Sequence, residues 1–181
     1  MESAKTLFMK FGIRKVTIEE LCKDAGISKM TFYRMFSNKN ELVFHWLKTF
    51  YDQSFEDYNE IMSKDIPFPE KIKLMILLKH KAVQNISPEF MADVYQSEDE
   101  KLINLLQDTQ KKTTQKIYDD FRQAQKEGWI RQDMKMDSIQ YLHGIIIERI
   151  MDPNYLALHD NIHDAVMEMV NFFFYGITQH D

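Results

Sequence analysis

The run Ser28-Lys29-Met30-Thr31-Phe32-Tyr33-Arg34-Met35-Phe36 carries side chains of one chemical kind. Lys29 and Arg34 are cations that neutralise phosphates or donate to a guanine edge. Thr31 and Tyr33 carry hydroxyls suited to phosphate oxygens. Phe32 and Phe36 stand four apart and read as the buried side of a short helix, so the polar set falls on the other side. Lys39 opens the next apolar run, where free backbone N–H groups and the helix dipole already favour an anion. This set would contact anions and base edges rather than make or break bonds. The bland alternative is an amphipathic helical hairpin with a solvated polar side.

Such a face needs a scaffold, and the preceding residues supply one. Ala4, Leu7, Phe8 and Phe11 have helical spacing, and Gly12 follows as a stop. Ile18, Leu21, Cys22 and Ala25 repeat the spacing before Gly26. Thr17 with Glu20 fits a reciprocal capping box. Gly26 supplies a left-handed turn residue at low cost, and Ser28 is a ready cap for the third helix. Two short helices about Ala25-Gly26-Ile27-Ser28 form a helix-turn-helix candidate. Its expected small core is Leu7, Phe8, Phe11, Ile18, Leu21, Cys22, Ile27, Phe32 and Phe36. In such a motif the second helix enters the DNA major groove.

Charge agrees with that reading. The chain has net charge −5, which argues against a general nucleic-acid binder. Residues 1–48, however, hold nine Lys/Arg against five acids, and the remainder holds 14 against 23. A basic head on an acidic body is the pattern. The one cysteine, Cys22, allows no intrachain disulfide and fits a reducing cytoplasm. No apolar run is long enough to span a membrane, and residues 1–11 read as an amphipathic helix, not a secretion signal.

Five Gly and four Pro in 181 residues disfavour an all-β chain and suit helices in series. Asn38 with Glu41 predicts a cap for a long helix to about Met62. Pro67 and Pro69 mark a break, and a helix over about 70–84 follows. Ser87-Pro88-Glu89 is a helix start. Ser97 with Glu100 predicts another box, opening a helix that runs to Gly128. Two more helices follow, from about 137 to 151 and from about 162 to 177, separated by Asp152-Pro153-Asn154. The expected fold is all-α with about nine helices: a helix-turn-helix DNA-binding head over 1–48 and a helical body over 49–181.

Residues 7–43, LFMKFGIRKVTIEELCKDAGISKMTFYRMFSNKNELV, resemble without a gap the DNA-binding head of the tetracycline-repressor (TetR) family of bacterial transcription regulators. Phe11-Gly12, Thr17, Ile18, Ala25-Gly26, Ile27, Ser28, Thr31, Phe32-Tyr33, Phe36, Lys39 and Glu41-Leu42 carry the resemblance. It implies that Lys29, Thr31, Tyr33, Arg34 and Lys39 contact DNA, mostly phosphates, that Met30 faces base edges, and that Thr17 touches a phosphate. Two departures point to weaker or more salt-sensitive binding: Met35 stands where the family often has Tyr or His, and no basic arm precedes the first helix.

A short recognition helix reads few bases, so a homodimer on a near-palindromic operator is expected. The candidate interface is Leu142, Ile146 and Ile150 with Val166, Met169, Val170, Phe173 and Ile177, as a four-helix bundle, and Gly144 permits close approach. The resemblance also implies a cavity in the body whose ligand resets the separation of the two heads. Thr109 and Thr113 interrupt the apolar stripe Leu102, Leu106, Ile117, Phe121 and Ala124, and they either line a pocket or bond to their own helix. Tyr95, Tyr118, Tyr141 and His143 are further candidate polar tips, and twelve Met suit an adaptable apolar wall. The expected effector is a small molecule, apolar or aromatic.

Enzymatic chemistry finds little support. Cys22 sits in an apolar stripe. His159 and His163 have metal-ligand spacing but no Glu in the zinc-protease arrangement, so a solvated turn is expected there. The sequence shows no phosphate loop, nucleophile elbow or CxxC, and no cofactor is expected. The reading is a ligand-responsive repressor; the rival is a helical small-molecule or protein-binding module without DNA binding.

Overall fold

A computed structural model describes residues 1–83, 86–149 and 152–179, the side chain of Ile147 excepted. Among them are ten α-helices: α1 Glu2–Phe11, α2 Ile18–Asp24, α3 Lys29–Met35, α4 Lys39–Ser63, α5 Phe68–Val83, α6 Pro88–Tyr95, α7 Glu100–Lys126, α8 Met136–Arg149, α9 Pro153–Leu156 and α10 Ile162–Ile177. The only strand-like pairing among these residues is an isolated bridge between Ile130 and Thr178. The sequence reading lacks α9, a single turn that starts with Asp152 accepting from the Asn154 amide.

Local chemistry sets the boundaries. Gly12 ends α1 at φ +86°, and Gly26 turns α2 into α3 at φ +64°. Thr17 and Glu20 form the full reciprocal box. The next two predicted boxes are built differently. Asn38 does accept from the Glu41 amide, but the Glu41 carboxylate returns to the amide and hydroxyl of Ser37. Asp99 caps α7 by accepting from the Lys101 and Leu102 amides, while Ser97 only receives the Asp99 amide.

The chain forms two compact units that are not consecutive stretches. The first is Met1–Glu56 with Asn85–Gln110, and the second is Asp57–Gln84 with Lys111–Asp181. Residues 1–48 therefore lie wholly in the first unit, together with α6 and the start of α7. Its core joins Phe8, Leu21, Cys22, Phe32, Val43, Trp46 and Leu47 to Phe90, Val94 and Leu102. Phe8 meets Trp46 edge-on at 5.7 Å, and Trp46 meets Phe90 at 5.5 Å. Burying each such side chain contributes about 2–3 kcal/mol. Phe11, expected in this core, is 38% exposed, while Met9, Ile13 and Val16 are buried instead.

In the second unit α10 packs on α5, α8 and α9. Phe68, Ile72, Phe121, Ala124, Ile130, Ile139, Phe173 and Ile177 form its core. Gly128, at φ +83°, ends α7 and lets the chain fold back through Ile130.

Candidate nucleic-acid interface and effector-binding body

The helix-turn-helix closes on three backbone hydrogen bonds: Ala25 to Leu21, Gly26 to Lys23 and Ile27 to Cys22. Ser28 caps α3 through the Thr31 amide at 3.0 Å. Phe32 is buried, so the opposite face of α3 projects outward. Lys29, Met30, Tyr33, Arg34 and Met35 are exposed there, Met30 by 82%. Lys29 is ion-paired with Glu19 at 2.9 Å, which raises its own pKa and lowers that of Glu19 through the shared hydrogen bond. Both partners are exposed, so a phosphate can replace the carboxylate at small cost. Thr31 is half-buried with its hydroxyl 3.0 Å from that of Ser28.

Two of the residues expected to meet phosphates are otherwise engaged. The Thr17 hydroxyl donates to the Glu20 carboxylate at 2.8 Å and accepts from the Glu20 amide, so its proton is committed within the capping box. The Lys39 ammonium donates to the carbonyls of Ile13 (2.9 Å), Arg14 (3.1 Å) and Val16 (3.0 Å). That uses all three of its protons. Lys39 is a clasp on the α1–α2 loop, and partial burial lowers its pKa.

The same loop is held from α6. Asp93 accepts from the Arg14 amide at 2.8 Å and pairs with its guanidinium at 3.1 Å. Arg14 also donates to the Gln96 carbonyl, and the Ser87 amide donates to that of Met9. Sequence reasoning did not find Asp93, because an acid in the middle of a short, largely apolar helix carries no local signal of a partner far along the chain.

The candidate pocket residues divide between the two units. Tyr95 and Thr109 belong to the first unit, whereas Thr113, Tyr118, Tyr141 and His143 belong to the second. Tyr95 is exposed, and its electrostatic neighbour is Tyr51 of α4. Tyr141 is 72% exposed on the outer side of α8, away from His143 two residues on. Tyr118 and His143 do meet: the Tyr118 hydroxyl lies 3.0 Å from His143 Nδ1 and 3.2 Å from the Gln140 carbonyl. The His143 ring also packs at 5.0 Å from Phe173.

Burial, and then the charge of Lys79, push the His143 pKa down to about 4. The unfolded chain therefore takes up this proton near pH 6.5 while the folded chain refuses it until about pH 4. The associated stability is complete above pH 6.5 and declines as pH falls toward 4, by roughly 3 kcal/mol in all. Urea unfolding of the protein and of His143→Gln across that range should show a shallower pH slope in the variant. Parallel slopes would rule the assignment out.

The interface helices also divide their faces differently from expectation. Val166, Phe173 and Ile177 are buried in the chain's own core, and Ile146, Met169 and Val170 are half-buried. Ile150 lies outside the described residues. Of the named set, Leu142 is exposed. The exposed apolar side chains on these helices are Tyr141, Leu142 and Ile145 of α8 with Phe172 and Tyr175 of α10. Periodicity marked both helices as apolar, but it could not tell the inward face from the outward one. Gly144 and Gly176 each have open space beyond their Cα.

His159 bonds to the Tyr155 carbonyl and Glu168, and His163 to Asp164, so the two histidines face separate partners. Among the described residues no cluster of three or more His, Cys, Asp or Glu side chains is placed to hold a metal ion. An open depression of about 440 Å³ is lined by Arg131, Gln132, Asp133 and Gln179, and its cation is already paired with Asp133. No helix of the described residues is long and apolar enough to cross a membrane.

A capped helix-turn-helix with a cationic, hydroxyl-bearing outer face, carried ahead of an all-helical body, defines the class of helix-turn-helix transcription regulators. Residues 1–45 match the model of the bacterial regulatory proteins of the tetR family. It is 24% identical over 144 residues to the HTH-type transcriptional repressor KstR2 of Mycobacterium tuberculosis, covering 77% of this chain and 71% of that protein. Its fold is similar to that of a transcriptional regulator from Saccharomonospora viridis in complex with choline (TM-score 0.78, 16% identity, 99% and 95% of the two chains covered). It is also similar to FadR from Bacillus subtilis in complex with stearoyl-CoA (TM-score 0.67, 15% identity, 97% and 96% covered).

Proposed function

We propose that the protein is a ligand-responsive transcriptional repressor, acting as a homodimer on a near-palindromic operator in the cytoplasm, and not an enzyme. Residues 1–48 bind DNA; residues 49–181 bind the effector and the second copy. One observation carries this reading: α3 presents Lys29, Met30, Tyr33 and Arg34 outward while Phe32 anchors it to the core. In this reading Lys29, Tyr33 and Arg34 meet phosphates, Thr31 contributes its hydroxyl, and Met30 lies against base edges. Thr17 acts through its cap. The dimer forms through Tyr141, Leu142, Ile145, Phe172 and Tyr175, with Gly144 and Gly176 allowing close helix approach. The effector is a small molecule with a large apolar or aromatic part. It binds more tightly to a state whose heads no longer match successive major grooves, roughly 34 Å apart.

Selection from a random DNA library by the purified protein at two salt concentrations tests this. The expected product is a two-fold symmetric site. Lys29→Ala and Arg34→Ala should each lower the slope of log affinity against log salt by about one while keeping the sequence preference. A folded dimer that enriches no sequence would sink the proposal.

A further inference from the structure

The outward face of α3 is short of side chains that name a base by hydrogen bonding. Its sequence, Lys29-Met30-Thr31-Phe32-Tyr33-Arg34-Met35, contains no Asn or Gln, which pair with adenine, and no Asp or Glu, which accept from cytosine. Lys29 is ion-paired with Glu19, the Thr31 hydroxyl lies against that of Ser28, and the Ser28 oxygen caps the helix. Tyr33 rests edge-on against Phe32 at 5.4 Å. Met30 stands on the same side as Tyr33 and Arg34, three and four residues before them. At 82% it is the most exposed large apolar side chain among the described residues. With Lys29 beside it and Arg34 one turn on, this apolar chain sits where positive charge draws a phosphate backbone close.

We infer that Met30 selects thymine at one position of each half-site, by apolar contact with the C5 methyl group. This deepens the DNA-binding reading above and rests on it. In the major groove a base pair shows donors, acceptors and, on thymine alone, a methyl group. The unbranched Met30 chain donates nothing, and its sulfur accepts only weakly. Laid over the edge of guanine, adenine or cytosine, it strips water from polar atoms and replaces none of their hydrogen bonds. Laid over the thymine methyl, it covers a group that gains by leaving water. Phosphate contacts from Lys29 and Arg34 hold the helix in register and carry no such choice.

The operator recovered by selection, bound by the full-length protein and followed by fluorescence anisotropy, tests this. Each thymine of the half-site is replaced in turn by deoxyuridine, which removes the methyl and leaves every hydrogen-bonding group and phosphate in place. At one position uracil should weaken binding about fourfold per half-site, the effect of exposing one buried carbon group. The salt slope should not change, because no phosphate contact is lost. Met30→Leu should keep that loss. Met30→Gln, similar in length but ending in an amide, should abolish it and shift the preferred base there toward adenine. Met30 is exposed, so neither variant disturbs the core. Met35→Ala, on another side of the same helix, is the control and should leave the uracil loss intact. Four results would overturn the inference and leave the regulator standing: a half-site without thymine, uracil tolerated at every position, a loss that survives Met30→Gln at every such position, or one removed equally by Met35→Ala. Enrichment of no sequence at all removes both readings.

Discussion

Lys39→Met is expected to cost about 3 kcal/mol in head stability and to weaken operator binding severely, without changing the salt slope of the binding that remains. The three carbonyls of Ile13, Arg14 and Val16 converge on one ammonium, and methionine donates to none of them. Each charge-assisted hydrogen bond lost costs about 1.5–3 kcal/mol, partly recovered by water at the exposed Arg14. Lys39→Arg should not restore the loop, because a planar guanidinium cannot send three donors to one point of convergence. Lys29→Ala is the control. It should leave the unfolding midpoint near wild type and lower the salt slope by about one. If Lys39→Met instead lowers the slope by one with an unchanged midpoint, Lys39 is a phosphate ligand, as the family resemblance implied.

Gly12→Ala should be the most damaging small substitution in the chain, at about 3 kcal/mol. Two effects add. The φ of +86° is unfavourable for any residue with a Cβ. That Cβ would also stand 2.8 Å from the Asp93 carboxylate, 2.9 Å from Glu89 Cβ and 3.3 Å from the Glu89 carbonyl carbon. The backbone of α6 cannot step aside as a flexible side chain can, so α1 and α6 must separate. Gly26→Ala has a similar φ but open space around it, and should cost only about 1 kcal/mol. Urea unfolding of both variants decides the matter: equal losses would mean that the α1–α6 contact contributes nothing beyond backbone strain. The same contact places the Arg14–Asp93 pair, so hydrogen exchange at the Arg14 amide should rise in Gly12→Ala and stay slow in Gly26→Ala.

Where function depends on local chemistry, the sequence was a good guide. The Thr17–Glu20 box, the left-handed Gly26, the Ser28 cap and the buried Phe32 are each written within a few residues, and each stands as expected. The outward display of Lys29, Met30, Tyr33 and Arg34 follows from them. What depends on residues distant in the chain was not legible. Lys39 looked like an anion ligand because the carbonyls that occupy it lie more than 20 residues upstream. Asp93 gave no sign of gripping Arg14, 79 residues away. Tyr118 and His143 were singled out separately as polar tips, and only the fold joins them. In α10, Phe172 and Phe173 are adjacent and chemically identical, yet one is 76% exposed and the other 6%. Residue type cannot separate them; the direction of each around the helix axis does.

The first compact unit takes its core from both sides of a gap in the chain. Phe8 and Trp46 wait for Phe90, Val94 and Leu102, which are made 44 to 56 residues after Trp46. During synthesis the DNA-reading helices are therefore complete as sequence long before they are complete as structure. Until the chain has emerged past residue 102, the apolar side of the head has no cover of its own. A message truncated after residue 48 would yield not a smaller working head but a sticky fragment, and a nascent chain can complete the core of its head only once residue 102 has emerged.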